Sequence, residues 1–462
     1  MTSVADARAV HLVGAGGFGM AAFGALLQDR GVAVSGSDLR ASPGTARLTS
    51  RGATLVLGAH RAESVPRAAV VVASAAIPAD NPELRVARER GQRVVTYPQA
   101  LGEIMASQDG VAIAGTHGKT TTTALVVAGL RAAGQDPSFV VGGDVPQFGA
   151  AGHHGNDRTF VAEACEYAES FLHLAPRIAA ITNVEADHLD HYGSFERVVD
   201  AFRAFVARVR GVLVTSREVV ERLGPVACAT RTVGVDDGAD LRAVRLETRD
   251  GLPRFDVEGI AALRGVTLSI PGRHSIDNAL VAFGVLHALG VELEAARSGV
   301  ERFAGVARRL EPLGEVGGVV LLTDYAHHPT ALDAVADAVF ARYAGRRVVA
   351  AFQPHQASRT RDFFAGFARA LARFHVPILT DIYGARERDA TTAGVSASEL
   401  ADAVRRTNPD ARYAGALPAV LPAIQAVVRP GDVVLLLGAG DIDDLRDELP
   451  GAVSRARRRP AP

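Results

Sequence analysis

Short β-branched runs alternate along this chain with Ala-, Leu- and Arg-rich stretches of helical length. That alternation is the signature of parallel strands joined by helical crossovers. The first series of apolar runs is AVHLVG (9–14), GVAVSGSD (31–38), AAVVVAS (68–74) and QRVVTY (92–97). A second begins at VAIAG (111–115) and continues through TFVAEA (159–164), IAAITN (178–183) and GVLVTS (211–216). Residues 228–270 change character: shorter alternating runs and turn signals such as DDGAD predict antiparallel strands on a sheet edge. A third series is GGVVLLTDYA (317–326), RRVVAAFQP (346–354), VPILTDIY (376–383) and GDVVLLLGAG (431–440). The expected fold is α/β with three domains. A Rossmann-like N-terminal unit covers 1–107, and a central phosphate-loop unit with a parallel sheet and a small antiparallel part covers 108–311. A Rossmann-like C-terminal unit covers 312–462. A chain of 462 residues is too long for one core, in keeping with this division.

Composition narrows the classes. A 48% hydrophobic, 22% charged chain of net charge −1 is globular in type and offers no electrostatic case for nucleic acid or an anionic membrane. No apolar stretch is long enough to span a bilayer, so no membrane insertion is expected. Two cysteines, Cys165 and Cys228, are too few for a disulfide framework and fit a reducing cytoplasm. Cys165 has no evident base beside it and is expected to be a small buried residue. The terminal RARRRP reads as a solvated tail. One count is unusual: of 50 basic side chains, 49 are arginine and a single one, Lys119, is lysine.

In open parallel sheets, ligands sit outside the carboxyl ends of strands, and the polar clusters of this chain fall there. GAGGFGM places Gly14, Gly16 and Gly19 in the G-x-G-x-x-G spacing, after an apolar strand and before a helix. Asp38 ends the next strand, 19 residues after Gly19. Glycines there let a diphosphate approach the backbone at a helix N-terminus, and the acid can accept from a ribose hydroxyl. The glycines do not distinguish NAD from a UDP-sugar, and a tight structural turn uses the same residues.

GTHGKT (115–120) is a compact phosphate loop between a strand and a helix. Gly115 and Gly118 free backbone N–H groups to face phosphates, Lys119 supplies a point charge and Thr120 a hydroxyl for Mg²⁺. Lysine is a slim ammonium where arginine is a wide fork, so a lone lysine in an arginine-rich chain marks a narrow cradle. Glu163 ends one strand and His188 follows another. Adjacent strand ends would bring both toward Thr120 and complete a magnesium set. Histidines and arginines in TDYAHHPT (323–330) and FQPHQASRT (352–360) read as anion and carboxylate binders.

Taken together, HLVGAGGFGM, GTHGKTTT, EACEYAESFLHL, TNVEADHLDHY, PGRHSIDNA, DYAHHPT and FQPHQASRT resemble the Mur ligases of peptidoglycan synthesis, in order over nearly the whole chain. The resemblance implies a UDP-sugar-binding unit, an ATPase unit and a C-terminal unit that closes over ATP. It implies substrate binding by Gly14, Gly16, Gly17, Gly19, Asp38, His60 and Ser74, and by Tyr325, His327, His355 and Arg359. ATP would be held by Gly115, Thr116, His117, Gly118, Lys119, Thr120 and Thr121, with His274, Asn278, Arg309 and Asp324. Mg²⁺ would lie on Thr120, Glu163 and His188, and Lys119, His327 and Arg359 would be catalytic.

The branch most similar adds L-alanine to UDP-N-acetylmuramate, forming ADP, as a monomer or weak homodimer. A branch that attaches a recycled tripeptide to the same sugar is the alternative. Branches for later steps use a carbamoylated lysine, and no lysine other than Lys119 exists here. A phosphate-loop regulator without ligase activity leaves the GAGGFGM turn and the polar third unit without a role, and an NAD dehydrogenase leaves Lys119 unexplained. The chain departs from the family pattern in having Ser275 where Asn is common and Gln356 where Arg is usual. An arginine common near Tyr97–Pro98 is also absent.

Overall fold

In the computed structural model, which describes residues 2–384 and 394–457, three α/β units follow one another. The first holds five parallel strands: β1 (Ala9–Val13), β2 (Ala33–Asp38), β3 (Thr54–Leu57), β4 (Val70–Ala73) and β5 (Val94–Thr96). Their order is 3-2-1-4-5. The chain winds outward in both directions from β1, so the crevice opens at the carboxyl ends of β1 and β4. Gly14 and Ser74 stand there. The strand β3 (TLVL) is additional to the four runs read from sequence and lies half-exposed at the sheet edge.

The central sheet has ten strands: β6 (Asp109–Ala114), β7 (Ser138–Val140), β8 (Gly152–His153), β9 (Thr159–Glu163), β10 (Ile178–Ile181), β11 (Val212–Thr215), β12 (Ala229–Gly234), β13 (Leu241–Arg249), β14 (Leu252–Gly259) and β15 (Leu263–Thr267). The order is 15-14-13-12-11-10-6-9-7-8, with β13 to β15 antiparallel at one edge. β6 lies between β9 and β10, so the loop after β6 emerges at the switch point between their carboxyl ends. The helix Lys119–Ala132 that follows is buried from Thr122 to Leu130. A Cβ on Gly299 would stand 2.1 Å from the carbonyl of Ala128, so this glycine lets the helix Leu293–Glu301 pack directly onto the phosphate-loop helix.

The third sheet has six strands: β16 (Glu311–Val316), β17 (Val319–Asp324), β18 (Val348–Phe352), β19 (Val376–Thr380), β20 (Arg412–Gly415) and β21 (Val433–Leu437). Their order is 16-17-21-18-19-20, parallel except for the edge strand β16. All residues of β17, β18, β19 and β21 are buried, as helices on both faces of a parallel sheet require. The carboxyl ends of β17 and β18 face those of β9 and β10 across a seam. There Arg359 reaches Asp187, and Thr330 donates to Glu185 at 2.7 Å. No described helix is long and apolar enough to cross a membrane. The end of the basic RARRRP run lies outside the described residues.

Candidate active site

The turn after β1 is built around backbone N–H groups. Gly14 has φ +81, and the N–H groups of Gly14 and Ala15 both donate to the carbonyl of Ser37. Asp38 Oδ2 accepts from the Gly16 N–H at 2.8 Å. A Cβ on Gly16 would lie 2.7 Å from Ser42 Oγ, so this glycine admits the cap of the next helix. Gly17 is exposed at the N-cap of the helix Phe18–Asp29, and Gly19 packs under the Tyr97 ring. Ser74 closes the crevice wall, its N–H donating to Val13. His60 is engaged elsewhere: its Nδ1 shares a 2.9 Å hydrogen bond with Ser37 and lies 3.4 Å from Glu83. Glu83 is fully buried and also takes hydrogen bonds from Ser37 at 2.7 Å and from His11 at 3.1 Å.

In the central unit, Gly115 has φ +130, and a Cβ there would lie 2.0 Å from Thr182 Oγ1. Gly118 has φ +80, and its Cβ would lie 2.3 Å from Asn278 Oδ1, so both glycines are required by geometry. Asn278 thereby borders the loop, and it also accepts from Thr122 at 3.2 Å. Thr116 and His117 are tied to the segment that follows β10: the Glu185 N–H donates to Thr116 Oγ1, and the His117 N–H donates to Asn183. Thr121 is half-buried on the first turn of the helix.

The Lys119 ammonium donates to the carbonyls of Gly115 at 2.5 Å and Thr116 at 3.2 Å, and pairs with Glu166 at 2.9 Å. Burial works to lower its pKa, but the carboxylates of Glu166 and Glu163, with the Cys165 side chain, outweigh burial and raise it above the ordinary lysine value. Thr120 Oγ1 donates to Glu163 Oε2 at 2.8 Å, so the two oxygen donors of the expected magnesium set already touch. A Cβ on Gly142 would lie 2.1 Å from Glu163 Oε2, so the backbone is cut away to hold this carboxylate. His188, at φ 52, has its ring 4.9 Å from that of Tyr167. Burial first, then the Arg359 and Lys119 cations, lower its pKa against the pull of Asp187 and Glu166. Thr120 and Glu163 are oxygen donors that fit a hard divalent cation, and His188 would add an imidazole as a softer third ligand.

The third unit contributes across the seam. Arg359 is 6% exposed; its Nη2 donates to Asp187 Oδ1 at 2.8 Å and its Nη1 to Gln356 Oε1 at 2.9 Å. Gln356, where the family pattern has arginine, therefore braces Arg359. Burial pushes Asp187 up, but His188 and Arg359 hold it well below the usual carboxylate range. His327 is bonded through Nδ1 to the Tyr325 carbonyl at 2.9 Å, and burial with the Arg359 charge keeps its imidazole far below its ordinary value. His355 lies 5.8 Å from His327, ring to ring, and stacks on Tyr383. The Tyr325 ring is covered by Arg308 and Arg309 at 4.8 and 5.0 Å. Asp324 is buried, accepting from Leu310 and Ala326 N–H groups at 2.7 Å; desolvation raises its pKa. His274 begins the helix His274–Ala288, and burial with nearby Arg309 lowers it to about 4. Ser275 donates to the Pro271 carbonyl at 2.7 Å and is absorbed in the same helix start. Beside Arg309, a cavity of about 220 Å³ opens between Ile270, Pro271, Gly305, Leu322 and Tyr343.

Three features add to or depart from the sequence reading. Glu166, three residues past Glu163, is the counter-ion of Lys119, and a second acid in EACEYAE is its only trace in sequence. Tyr97 joins the glycine turn of the first unit to the central site; burial, then the nearby Glu163, raise its pKa. Cys165 is exposed and not buried as expected. Desolvation by the surrounding protein, then the Glu166 charge, push its thiol up to about 12, so it is no nucleophile near neutral pH.

Fold and site together define a three-unit α/β nucleotide-dependent enzyme whose phosphate loop faces a polar seam. Three family patterns match: the Mur ligase family catalytic domain over residues 9–109, the Mur ligase middle domain over 113–286 and the Mur ligase glutamate ligase domain over 308–440. The chain is 42% identical over 445 residues to a UDP-N-acetylmuramate–L-alanine ligase of Sorangium cellulosum, covering 94% of each. It is similar in structure to the UDP-N-acetylmuramate–alanine ligase MurC of Thermotoga maritima, with TM-score 0.81, 26% identity and coverage of 97% and 99%. A murein peptide ligase of Psychrobacter arcticus shares the fold at TM-score 0.71 and 23% identity, over 98% of this chain and 100% of that one. This chain belongs to the Mur ligase family.

Proposed function

We propose that this chain joins L-alanine to the carboxylate of UDP-N-acetylmuramate, converting ATP to ADP and phosphate through an acyl phosphate, in peptidoglycan precursor synthesis in the cytoplasm. The observation that carries the reading is the phosphate loop with its one lysine. It lies within a chain that matches alanine-adding relatives from end to end and has no second lysine to carbamoylate.

A carboxylate is a poor acyl donor because its oxygen leaves badly; phosphorylation turns that oxygen into phosphate. The residues present serve this chemistry by position and charge. The Gly14–Gly19 turn presents N–H groups to the sugar's diphosphate, with Asp38 and Ser74 at its rim. Lys119 neutralises the β- and γ-phosphates. The cavity beside Arg309 would take the nucleotide base, with His274 near Arg309 and Asn278 against Gly118 of the phosphate loop. Thr120, Glu163 and His188 would hold Mg²⁺, which when bound neutralises charge on the phosphates.

In the third unit, Arg359, Tyr325 and His355 would meet the alanine carboxylate, Arg359 by exchanging Asp187 for it. His327 keeps its proton on Nδ1 against the Tyr325 carbonyl, which leaves an uncharged Nε2 as a hydrogen-bond acceptor to orient the attacking alanine amine. Closure of the seam excludes water from the acyl phosphate.

ADP release should depend jointly on the UDP-sugar and L-alanine. Purified chain is incubated with ATP, UDP-N-acetylmuramate and either L-alanine or the cell-wall tripeptide. Turnover with the tripeptide and none with alanine would sink this reading.

A further inference from the structure

We propose that His117, Glu185 and His328 form a site for a divalent transition-metal ion of the zinc class, bridging the central and third units. The site does not rest on the ligase reading. One ligand atom from each residue can be chosen so that all three lie within 4.8 Å of one another. His117 Nε2 stands 3.7 Å from Glu185 Oε2, beyond hydrogen-bond length, and the two imidazole rings are 5.0 Å apart. The Nε2 atoms of His117 and of His328 are both buried without a hydrogen-bond partner. His328 is 4% exposed, so its orphan nitrogen has no recourse to bulk water.

The chemistry of the set is specific. Two imidazoles and a carboxylate suit zinc and its first-row neighbours, whereas magnesium takes oxygen ligands. Burial and the neighbouring His117 lower His328 to about 4, and His117 with Thr330 helps bring Glu185 down to about 2 against its burial. At neutral pH His328 and Glu185 are therefore already in the protonation states that bind metal.

The surroundings orient the ligands. Thr330 Oγ1 donates to Glu185 at 2.7 Å, and the Phe363 ring packs edge-on to His328 at 4.6 Å. Binding through Nε2 of His328 moves its ring proton to Nδ1. That gives up the 3.4 Å contact from the Thr330 N–H, which is already longer than a normal hydrogen bond. Tetrahedral zinc holds its donors about 3.4 Å apart, so side-chain rotation must close the set by up to about 1.4 Å at its widest. None of the three residues belongs to the Thr120–Glu163–His188 group. His117 and Glu185 come from the central unit and His328 from the third, so a bound ion ties the two sides of the seam.

The test uses tag-free full-length chain in excess Mg²⁺, titrated with Co²⁺ as a visible probe and then with Zn²⁺ by calorimetry. Expected is one Co²⁺ per chain with a d–d absorption band that Zn²⁺ abolishes, and a Tm that rises with Zn²⁺. His328→Asn keeps a side-chain oxygen to cap the following helix and removes the ligand; Glu185→Gln keeps the Thr330 hydrogen bond and removes the charge. Each should weaken binding by about 100-fold or more, while Glu163→Gln leaves it unchanged. The proposal is overturned by absence of the band, by undiminished affinity in folded His328→Asn or Glu185→Gln, or by loss of the band in Glu163→Gln.

Discussion

The turn after β1 and the turn after β6 each carry the chain from a buried parallel strand into a helix, yet they settle their polar groups differently. At Gly14–Gly19 the free N–H groups are answered by the Ser37 carbonyl and the Asp38 carboxylate, and no cation is present. At Gly115–Thr120 a buried ammonium is answered by two loop carbonyls and Glu166. The first is a hydrogen-bonding cradle that a ligand can enter by displacing an acid. The second holds an internal ion pair that a polyphosphate enters by replacing Glu166 as the partner of Lys119. Similar spacing of glycines thus serves two electrostatic tasks.

The largest effect is expected from Lys119→Arg. Charge is conserved, but a planar fork does not fit between the Gly115 and Thr116 carbonyls. We expect kcat to fall by at least about 10³-fold with an unchanged far-UV circular dichroism spectrum. Wild-type turnover would refute the role assigned to the ammonium. Next comes Gly118→Ala, where φ +80 and a Cβ 2.3 Å from Asn278 Oδ1 coincide. Backbone strain of about 1–2 kcal/mol plus displacement of Asn278 should lower stability by about 2–3 kcal/mol and raise KM for ATP. Chemical denaturation checks the first and initial rates the second.

The glycine turns, the lone lysine and the strand-end acids were legible because local spacing carries them. A phosphate cradle needs glycine at fixed offsets, and Thr120 and Glu163 meet because β6 and β9 are neighbours. Other contacts are not local. Arg359 and Asp187 stand 172 positions apart and meet only when two sheets face each other. Glu166 lies just before a segment in which Ala168 and Glu169 take positive φ, so no helical or strand period points to it. The two-residue strand β8 is too short for an apolar period, and the four residues of the edge strand β3 do not by themselves separate strand from helix. Cys165 is exposed for a related reason: which face of a short loop meets solvent is set by the assembled units and leaves no mark in composition.

The comparison sharpens further with pH. His274, on the nucleotide side, is held at about 4, below the ordinary imidazole value of 6.5. The unfolded chain therefore takes up this proton more readily than the folded one. The stability contributed by neutral His274 is complete above about pH 6.5 and is lost as pH falls toward 4. Because the ring is partly solvent-reachable, we expect about 1–2 kcal/mol across that window. His274→Gln should flatten that part of the stability profile; an unchanged slope would remove His274 as its source. In the first turn, Asp38→Asn keeps an oxygen for the Gly16 N–H and removes only the charge. KM for the UDP-sugar should rise about fivefold with kcat unchanged, as expected for roughly 1 kcal/mol of uniform binding.

The smallest effect on the fold belongs to Gly17→Ala, and it separates the two turns most cleanly. Gly17 has φ −63, an ordinary value for any residue, and the nearest atom to an added Cβ is the Gly14 carbonyl oxygen at 3.7 Å. Nothing in the protein itself requires glycine at this position, so stability should change by less than about 0.5 kcal/mol. What remains is the ligand: an exposed N-cap at the mouth of the crevice is where a diphosphate approaches the backbone, and a methyl group there stands in its way. We therefore expect KM for the UDP-sugar to rise while the unfolding midpoint stays fixed, whereas Gly118→Ala moves both. An unchanged KM would take Gly17 out of the ligand's path and leave the first turn resting on Gly14, Gly16 and Gly19 alone.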